Sequence, residues 1–376
     1  QRDLGFSALR PLLRARSAAD VFSAMSRWVE PVNRVIAAGA NGEILRGTVG
    51  QCPELPRSLR WLPQSPTDRP LMRWLDQLPP EPVKQWVVDA NERPLERPSH
   101  DLGDSYPSSA RAERISVYIK NLSDATVADF QKIHADTESS TVVMLLRRLI
   151  DTCSKAPLST SGKSLLDKLK EWDGRMDRES RAAGIFAAWR SALVRRLVVH
   201  PILAPLSSPH GMGQIFNPWF DVSSRIAASL ESIILDAKEL GIDAPSEMIC
   251  ALETVASETA SDWGTRHVLA PLHILEQVLQ RDVVTDLSVS LPGDIDAIFA
   301  TASIPGITDR AFSGPVARWI WDLGDRDRSR WNVPFGSSGV RESPHFADQL
   351  YLWQNACTTE IVTDWSELHE CPWFHL

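Results

Sequence analysis

The residues best suited to chemistry in this chain are an amide, Asn91, and a guanidinium, Arg111. Asn91 stands where a short apolar run, Trp86-Val87-Val88, empties through Asp89-Ala90 into a proline-bearing loop. The run reads as a buried strand. A helix is predicted to begin near Ser105, with Pro107 at a first-turn position where its missing N–H costs nothing. Arg111, Ile115 and Ile119 then follow at i, i+4 and i+8 on one helix face. A guanidinium beside two isoleucines, in a turn where the macrodipole disfavours a cation, calls for a specific partner. Two uses of the pair stand open. In one, Asn91 caps a turn and Arg111 forms a structural ion pair. In the other, the Asn91 amide donates to a developing oxyanion, as amide hydrolysis requires. Asp101, Asp104 and the carbonyls of the proline loops are candidate ligands for a hard cation such as calcium, although EF-hand spacing is lacking.

Other chemistries find less support. The nine histidines show no paired metal-ligand spacing, so His200, His210, His267, His273, His345 and His369 read as structural. Gly211-Met212-Gly213 and Gly336-Ser337-Ser338-Gly339 lack the lysine and helix context of a phosphate loop and read as turns. No Gly-x-Ser-x-Gly elbow is present to anchor a conventional hydrolase triad. Five cysteines are too scattered for a disulfide scaffold or a zinc site. Cys357 and Cys371 are a candidate pair in an exported protein, and reduced buried thiols fit equally well.

The Asn91 loop must be held by the elements around it. Residues 4–28 follow a helical pattern with Asp20 as the expected N-cap. Residues 32–38 and 43–49 are predicted strands joined by a hairpin turn at Asn41-Gly42. Residues 53–82 form a proline-rich but structured excursion, with Trp61 and Trp74 as its expected anchors. Residues 121–285 are predominantly helical. Ser123 or Asp124 is expected to cap a first helix, and Leu165, Leu166, Leu169 and Trp172 make one apolar stripe. Ile185, Phe186, Trp189, Leu193 and Leu197 make another, after a Ser180 cap. Helices resume around 222–240 and 246–257. Residues 314–323 alternate around Val316, Trp319 and Trp321 as a strand, a second strand lies near 331–333, and a helix covers 345–353. Strands flanking a helical middle define an α+β organisation, with the sheet built from both ends of the chain. Three regions follow: 1–120 carrying the candidate asparagine, 121–290 mainly helical, and 291–376 returning to the sheet.

Composition narrows the function classes. With 376 residues, a hydrophobic fraction of 43% and a charged fraction of 23%, the chain is an ordinary globular one with more than one lobe. A formal net charge of −8 argues against nucleic acid as a partner. No apolar run approaches the length of a bilayer span.

Eight stretches bear on the family. In chain order they are WVEPVNRVIAAGANGEI, VVDANERP, RAERI, EWDGRMDRESRAAGIFAAW, DWGTRH, GDIDAIFA, GPVARWIWDLGD and GSSGVRESPHFADQLYLW. Together they resemble, in family order, the catalytic β subunit of the penicillin acylase family, self-processing N-terminal-nucleophile amidohydrolases. GDIDAIF and WDLGD look more like the branch with aculeacin, acyl-homoserine-lactone and penicillin V or cephalosporin acylases. The resemblance implies part of an αββα sandwich with a large helical insertion. It also implies catalysis by an N-terminal serine whose own α-amino group is the base. By the family pattern, Asn91 in Ala90-Asn91-Glu92-Arg93 takes the oxyanion role and Arg111 orients the site. A structural calcium would draw on Asp101 and the Pro53 carbonyl; no cofactor is implied for catalysis.

The departures are specific. No serine followed by the family's asparagine-tryptophan motif occurs, Gln1 has no nucleophile, and Ser7 is internal. Glu92 replaces the family's second asparagine, and Ala297-Ile298-Phe299 replaces threonine-valine-asparagine. The expectation is a later part of a β subunit, inactive alone, whose partners are the α subunit and the first part of the β subunit. The complete protein would cleave a linear acylated amide, in the periplasm or outside the cell. The alternative is an inactive relative serving as a binding or assembly subunit.

Overall fold

Ser17 accepts the backbone N–H of Asp20 at 3.1 Å, and Asp20 accepts that of Arg16 at 2.9 Å. These bonds satisfy donors that a helix start leaves orphaned. Helix α2 (Ala18–Met25), preceded by the short α1 (Leu9–Leu12), is therefore capped by Ser17, and Asp20 lies inside its first turn instead of at the expected cap. The structure, a computed structural model, describes residues 4–54, 73–95, 102–103, 105–211, 213–259, 261–271, 276–279, 284 and 287–368. Two compact units result, one of Gln1–Lys120 with Asp322–Arg326, the other of Asn121–Trp321 with Asp327–Leu376.

In the first unit, β1 (Asn33–Ala38) and β2 (Ile44–Val49) form the predicted hairpin, with Ile36 opposite Arg46. Gly42 turns it at φ 82, and the Asn41 side chain accepts the N–H of Glu43 at 3.1 Å. Strand β3 (Pro53–Glu54) pairs with β4 (Arg73–Trp74), and β5 (Glu81–Pro82) adds to the free edge of β2. Ala18, Phe22, Met25, Ala37 and Val49 make the core between α2 and the hairpin. The Phe22 ring fills the space where a side chain at Gly47 would stand, 2.8 Å from an ideal Cβ.

Three expectations for this unit are corrected. Trp74 is 49% exposed instead of buried as an anchor, while Trp61 lies outside the described residues. Trp86-Val87-Val88 is half-buried and unpaired rather than a buried strand. β-Branched residues favour extension, but a strand also needs a ladder partner, and none is assigned to this run among the described residues. Helix α3 (Ala110–Lys120) begins at Ala110, not near Ser105. Ser108 accepts the N–H of Ala110 at 3.1 Å, so the turn forms after Pro107. Arg111 stays in the first turn, and the face it shares with Ile115 and Ile119 is half-buried.

The second unit is mostly helical. Thr126, not Ser123 or Asp124, caps α4 (Val127–His134) in a reciprocal box with Asp129. Helices α5 (Ser140–Cys153), α6 (Thr160–Lys170) and α7 (Arg181–Val198) follow, the last capped by Ser180 as the sequence predicts. In place of one helix across 222–240 there are three, α8 (Val222–Ala228), α9 (Leu230–Leu235) and α10 (Ala237–Leu240). The breaks fall at Ser229 and Asp236, residue types that leave helices readily. Helix α11 (Ala244–Val255) packs across α7, where the buried Trp189 indole donates to the Met248 carbonyl at 3.2 Å. Two short helices, α12 (Trp263–Arg266) and α13 (Glu276–Leu279), lead to the C-terminal strands.

Those strands are β6 (Ala302–Ile304), β7 (Thr308–Ser313), β8 (Arg318–Ile320) and β9 (Arg330–Asn332), then helix α14 (Leu350–Gln354) and β10 (Thr359–Glu360). β6 pairs with β7, and β9 lies between β8 and β10. Among the described residues each sheet draws its strands from one end of the chain, so the expected sheet shared by both ends is not seen. The strand expected over 314–323 shortens to three residues, and its faces are reversed. Arg318 and Ile320 are buried, while Trp319 and Trp321 are about half-exposed and meet edge-on at 5.7 Å. Arg318 decides the orientation. Its guanidinium lies 4.4 Å from the Phe299 ring centre and donates to the Trp353 carbonyl at 2.7 Å. Burial brings its pKa down to about 10. The helix expected over 345–353 is confined to α14.

Two consequences are measurable. Gly184 meets the chain so closely that an added Cβ would stand 2.0 Å from the Ser261 carbonyl oxygen. Alanine gains about 1 kcal/mol of helix propensity over glycine, but overpacking costs about 1–3 kcal/mol or more. The clash wins, so Gly184→Ala should lower the urea midpoint, and a raised midpoint would contradict the packing. His267 is fully buried; its Nδ1 lies 2.7 Å from the Asp309 carbonyl and its ring stacks on Trp263 at 4.2 Å. Burial holds its pKa below the ordinary 6.5. The unfolded ring therefore gains a proton as pH falls through 6.5 while the folded ring stays neutral. Stability should be full above that pH and decline below it, with a flatter decline in His267→Gln.

Candidate functional site

The loop after Val88 is fixed by its own carboxylates. Asp89 accepts the N–H of Asn91 at 3.1 Å, and Glu92 accepts that of Ala90 at 2.8 Å. Arg34, from β1, pairs with Asp89 at 2.7 Å and reaches Glu92 at 4.0 Å. Asn91 adopts φ 72, a left-handed conformation that asparagine tolerates better than other residues with a Cβ. The backbone is thus turned so that the Asn91 side chain stands exposed at the tip.

Helix α3 brings Arg111 to this tip. Its Nη2 donates to the Ala90 carbonyl at 2.7 Å and to Asn91 Oδ1 at 3.4 Å. A guanidinium carries donors only, so the atom of Asn91 that faces it is the oxygen. The two N–H bonds on Nδ2 are then directed elsewhere, and they have no partner among the described residues. Arg111 likewise has no ion pair among the described residues: its partners are carbonyl oxygens. That pattern explains a cation in a first helical turn, since two carbonyl dipoles oppose the positive helix end. The same carbonyls leave the amide nitrogen outward, where it can donate to an incoming oxyanion.

A cavity of about 550 Å³ adjoins the loop. It is lined by Arg34 and Ile36 of β1, Trp86, Val88, Glu92, and Lys120 of α3. The Lys120 ammonium lies 5.9 Å from the Trp86 ring centre. The half-buried Trp86-Val87-Val88 run therefore forms a wall of this space. The structure brings together Asn91 and Arg111, which the sequence singled out, and sets beside them Arg34, which it did not. The signal for it was an arginine inside an otherwise apolar strand that must face some carboxylate.

Of the expected calcium ligands, only Pro53 falls among the described residues. Asp101 and Asp104 lie outside them, and the Pro53 carbonyl, in β3, is met by the Cys52 thiol at 3.9 Å. No three His, Cys, Asp or Glu side chains converge to hold a metal among the described residues. His210 pairs with Asn217 at 3.0 Å and His345 with Asp348 at 2.8 Å. His273, His369 and Cys371, the last a candidate partner for Cys357, lie outside the described residues. The motifs DWGTRH and GDIDAIFA supply a buried polar network in the second unit. There Arg190 pairs with Asp294 at 2.5 Å, and Arg266 and Ser191 bind Asp309 at 2.8 and 3.0 Å. No helix of the described residues is long and apolar enough to cross a membrane.

Comparison with known proteins gives three results. Residues 1–370 match the family model for penicillin amidase. Over 393 aligned residues the chain is 29% identical to the penicillin acylase 2 proenzyme of Pseudomonas sp. (strain SE83), covering 98% of this chain and 49% of that protein. The chain thus spans about half the length of the curated relative it matches. Among solved structures it is similar to a thermostable penicillin G acylase from Alcaligenes faecalis, with a TM-score of 0.60 and 16% identity over 99% of this chain and 72% of that one.

The Arg111 contacts generate a direct test. Arg111→Ala removes the group that orients the Asn91 amide and leaves the Ala90 carbonyl without its donor. Loss of a charge-assisted bond at a half-exposed position should cost roughly 1 kcal/mol. In nuclear magnetic resonance the Asn91 side-chain NH2 pair should lose its fixed environment. Unchanged resonances would show that Arg111 does not hold the amide.

Proposed function

The chain belongs to the penicillin amidase family, and on that premise we propose that it carries the oxyanion-binding half of an N-acyl amidohydrolase. Its mixed helix and sheet fold is that of part of an N-terminal-nucleophile hydrolase. One observation carries the reading. The Arg111 guanidinium faces Asn91 Oδ1, so Nδ2, which has no partner among the described residues, is presented outward from the loop. A preorganised amide donor is what a tetrahedral intermediate needs, because it meets the developing charge without reorganising.

In this reading the nucleophile is an N-terminal serine on a segment outside these residues. Its α-amino group accepts the hydroxyl proton as the oxygen attacks the substrate carbonyl carbon. The carbonyl oxygen gains the negative charge and is held by Asn91 Nδ2. The intermediate collapses with cleavage of the C–N bond, and the amine leaves with the proton returned by the ammonium. Water then attacks the acyl-serine by the same route and releases the acid. Arg111 acts through Asn91 as a positioning residue, and Arg34 acts on the loop backbone through Asp89 and Glu92. The substrate class is a linear acylated amide of the penicillin, cephalosporin, acyl-homoserine-lactone or lipopeptide type. The partners are the α subunit and the first part of the β subunit, and the setting is periplasmic or extracellular; the sequence resemblance supports both.

The experiment is Asn91→Ala in the assembled protein. Turnover of an acylated amide should fall roughly 100- to 1,000-fold, with the thermal transition retained. Turnover equal to that of the parent would remove Asn91 from the oxyanion role.

A further inference from the structure

The amide site makes no use of the first helical segment, which has its own concavity. A hollow of about 620 Å³ lies along α1 and α2, lined by Ser7, Arg10, Arg14, Asp20, Ser23 and Arg27. Arg10 lies in α1 and Arg14 in the turn that follows it, and both line the hollow. Arg27 follows the end of α2. All three are exposed, and none has a side-chain partner among the described residues. The one carboxylate in the hollow, Asp20, accepts the Arg16 N–H at 2.9 Å.

Three guanidiniums lining one hollow repel one another unless an anion sits between them. The cluster does not follow from a basic chain, since the formal net charge is −8. Beside it, Phe6 is 60%, Leu9 50% and Leu13 88% exposed. Leu9 and Leu13 share the spacing of Arg10 and Arg14, displaced by one residue. Exposed apolar side chains thus alternate along this segment with the arginines of the hollow, and we call them its ridge. Single exposed apolar side chains are ordinary, but a ridge of three beside uncompensated arginines marks a binding surface.

We propose that the Arg10–Arg14–Arg27 hollow and its Phe6–Leu9–Leu13 ridge bind an acidic, leucine-bearing segment of a partner polypeptide. Carboxylates match the guanidinium fork in two parallel bonds, and the ridge takes the apolar residues between them. Shape favours a polypeptide over a lipid surface. The arginines line a concavity of about 620 Å³, a shape that suits individual side-chain carboxylates. The inference is independent of the amidohydrolase reading, because no residue of the Asn91 loop takes part.

The test uses the full chain and a fluorescein-labelled synthetic peptide of glutamate and leucine, with a lysine–leucine peptide as its counterpart. Anisotropy should show the acidic peptide bound, with affinity falling as salt rises, and the basic one not bound. The triple change Arg10→Glu, Arg14→Glu, Arg27→Glu should weaken the acidic peptide by roughly tenfold or more and turn the preference toward the basic one. Arg14→Ala, at an exposed position with little risk to folding, should weaken it severalfold. Unchanged affinity in both variants, or no binding of the acidic peptide at low salt, overturns the proposal. Full displacement of the peptide by millimolar inorganic phosphate reassigns the hollow to small anions. Sedimentation with phosphatidylglycerol vesicles that the peptide does not compete away reassigns it to a membrane; either outcome also overturns the proposal.

Discussion

A guanidinium can donate hydrogen bonds and cannot accept them, and the Asn91 site depends on that one-sidedness. Arg111 takes the Ala90 carbonyl and Asn91 Oδ1, so it settles both the path of the backbone and the orientation of the amide. A lysine would offer a rotating point charge with no planar fork, and an ion-paired arginine would leave the amide free to flip. The remaining bonds of the loop are subordinate to this one. Asp89 and Glu92 hold the turn by its N–H groups, and Arg34 keeps those carboxylates in place across from β1. Two arginines therefore grip one loop, one through its carbonyls and the other through its carboxylates.

The second unit solves a different problem with the same residue type. Arg318 is buried without a carboxylate partner among the described residues, between the Phe299 ring and the Trp353 carbonyl. The ring face supplies the negative potential that a carboxylate would otherwise bring. Phe299, fully buried, thus has a packing partner in Arg318 that its apolar composition alone did not reveal. Arg190, by contrast, is buried against Asp294 in a conventional pair. Both arginines tie C-terminal segments to their neighbours within the unit, and both would leave an uncompensated charge if their partners were removed.

Much of the helical region was legible because apolar stripes at helical spacing are a local signal. Ile185, Phe186, Trp189, Leu193 and Leu197 lie in one buried helix capped by Ser180, as their spacing predicts. The pairing of Asn91 with Arg111 was also legible, since a cation in a first turn beside isoleucines demands an acceptor. What was not legible depended on partners distant in sequence. The Trp86–Val88 run has strand composition, but composition cannot say whether a ladder partner stands alongside. Pro107 suits a first helical position in isolation, yet the Ser108 bond to Ala110 starts the helix later. In 314–323, alternation revealed two faces without saying which one is inside. Hydrophobicity pointed to Trp319 and Trp321; the ring and carbonyl awaiting Arg318 decided otherwise. Arg34 was missed for the same reason, because its carboxylates lie far along the chain.

The left-handed backbone at Asn91 has a bearing on descent. Glycine would relieve the backbone and fold as well, but it carries no amide. Aspartate would also keep the turn, but a carboxylate offers an acceptor where the proposed oxyanion role calls for a donor. Selection for a stable protein would therefore overlook either replacement. On the proposed reading, a lineage could pass through that single codon into a well-folded, silent descendant without leaving a scar in its stability.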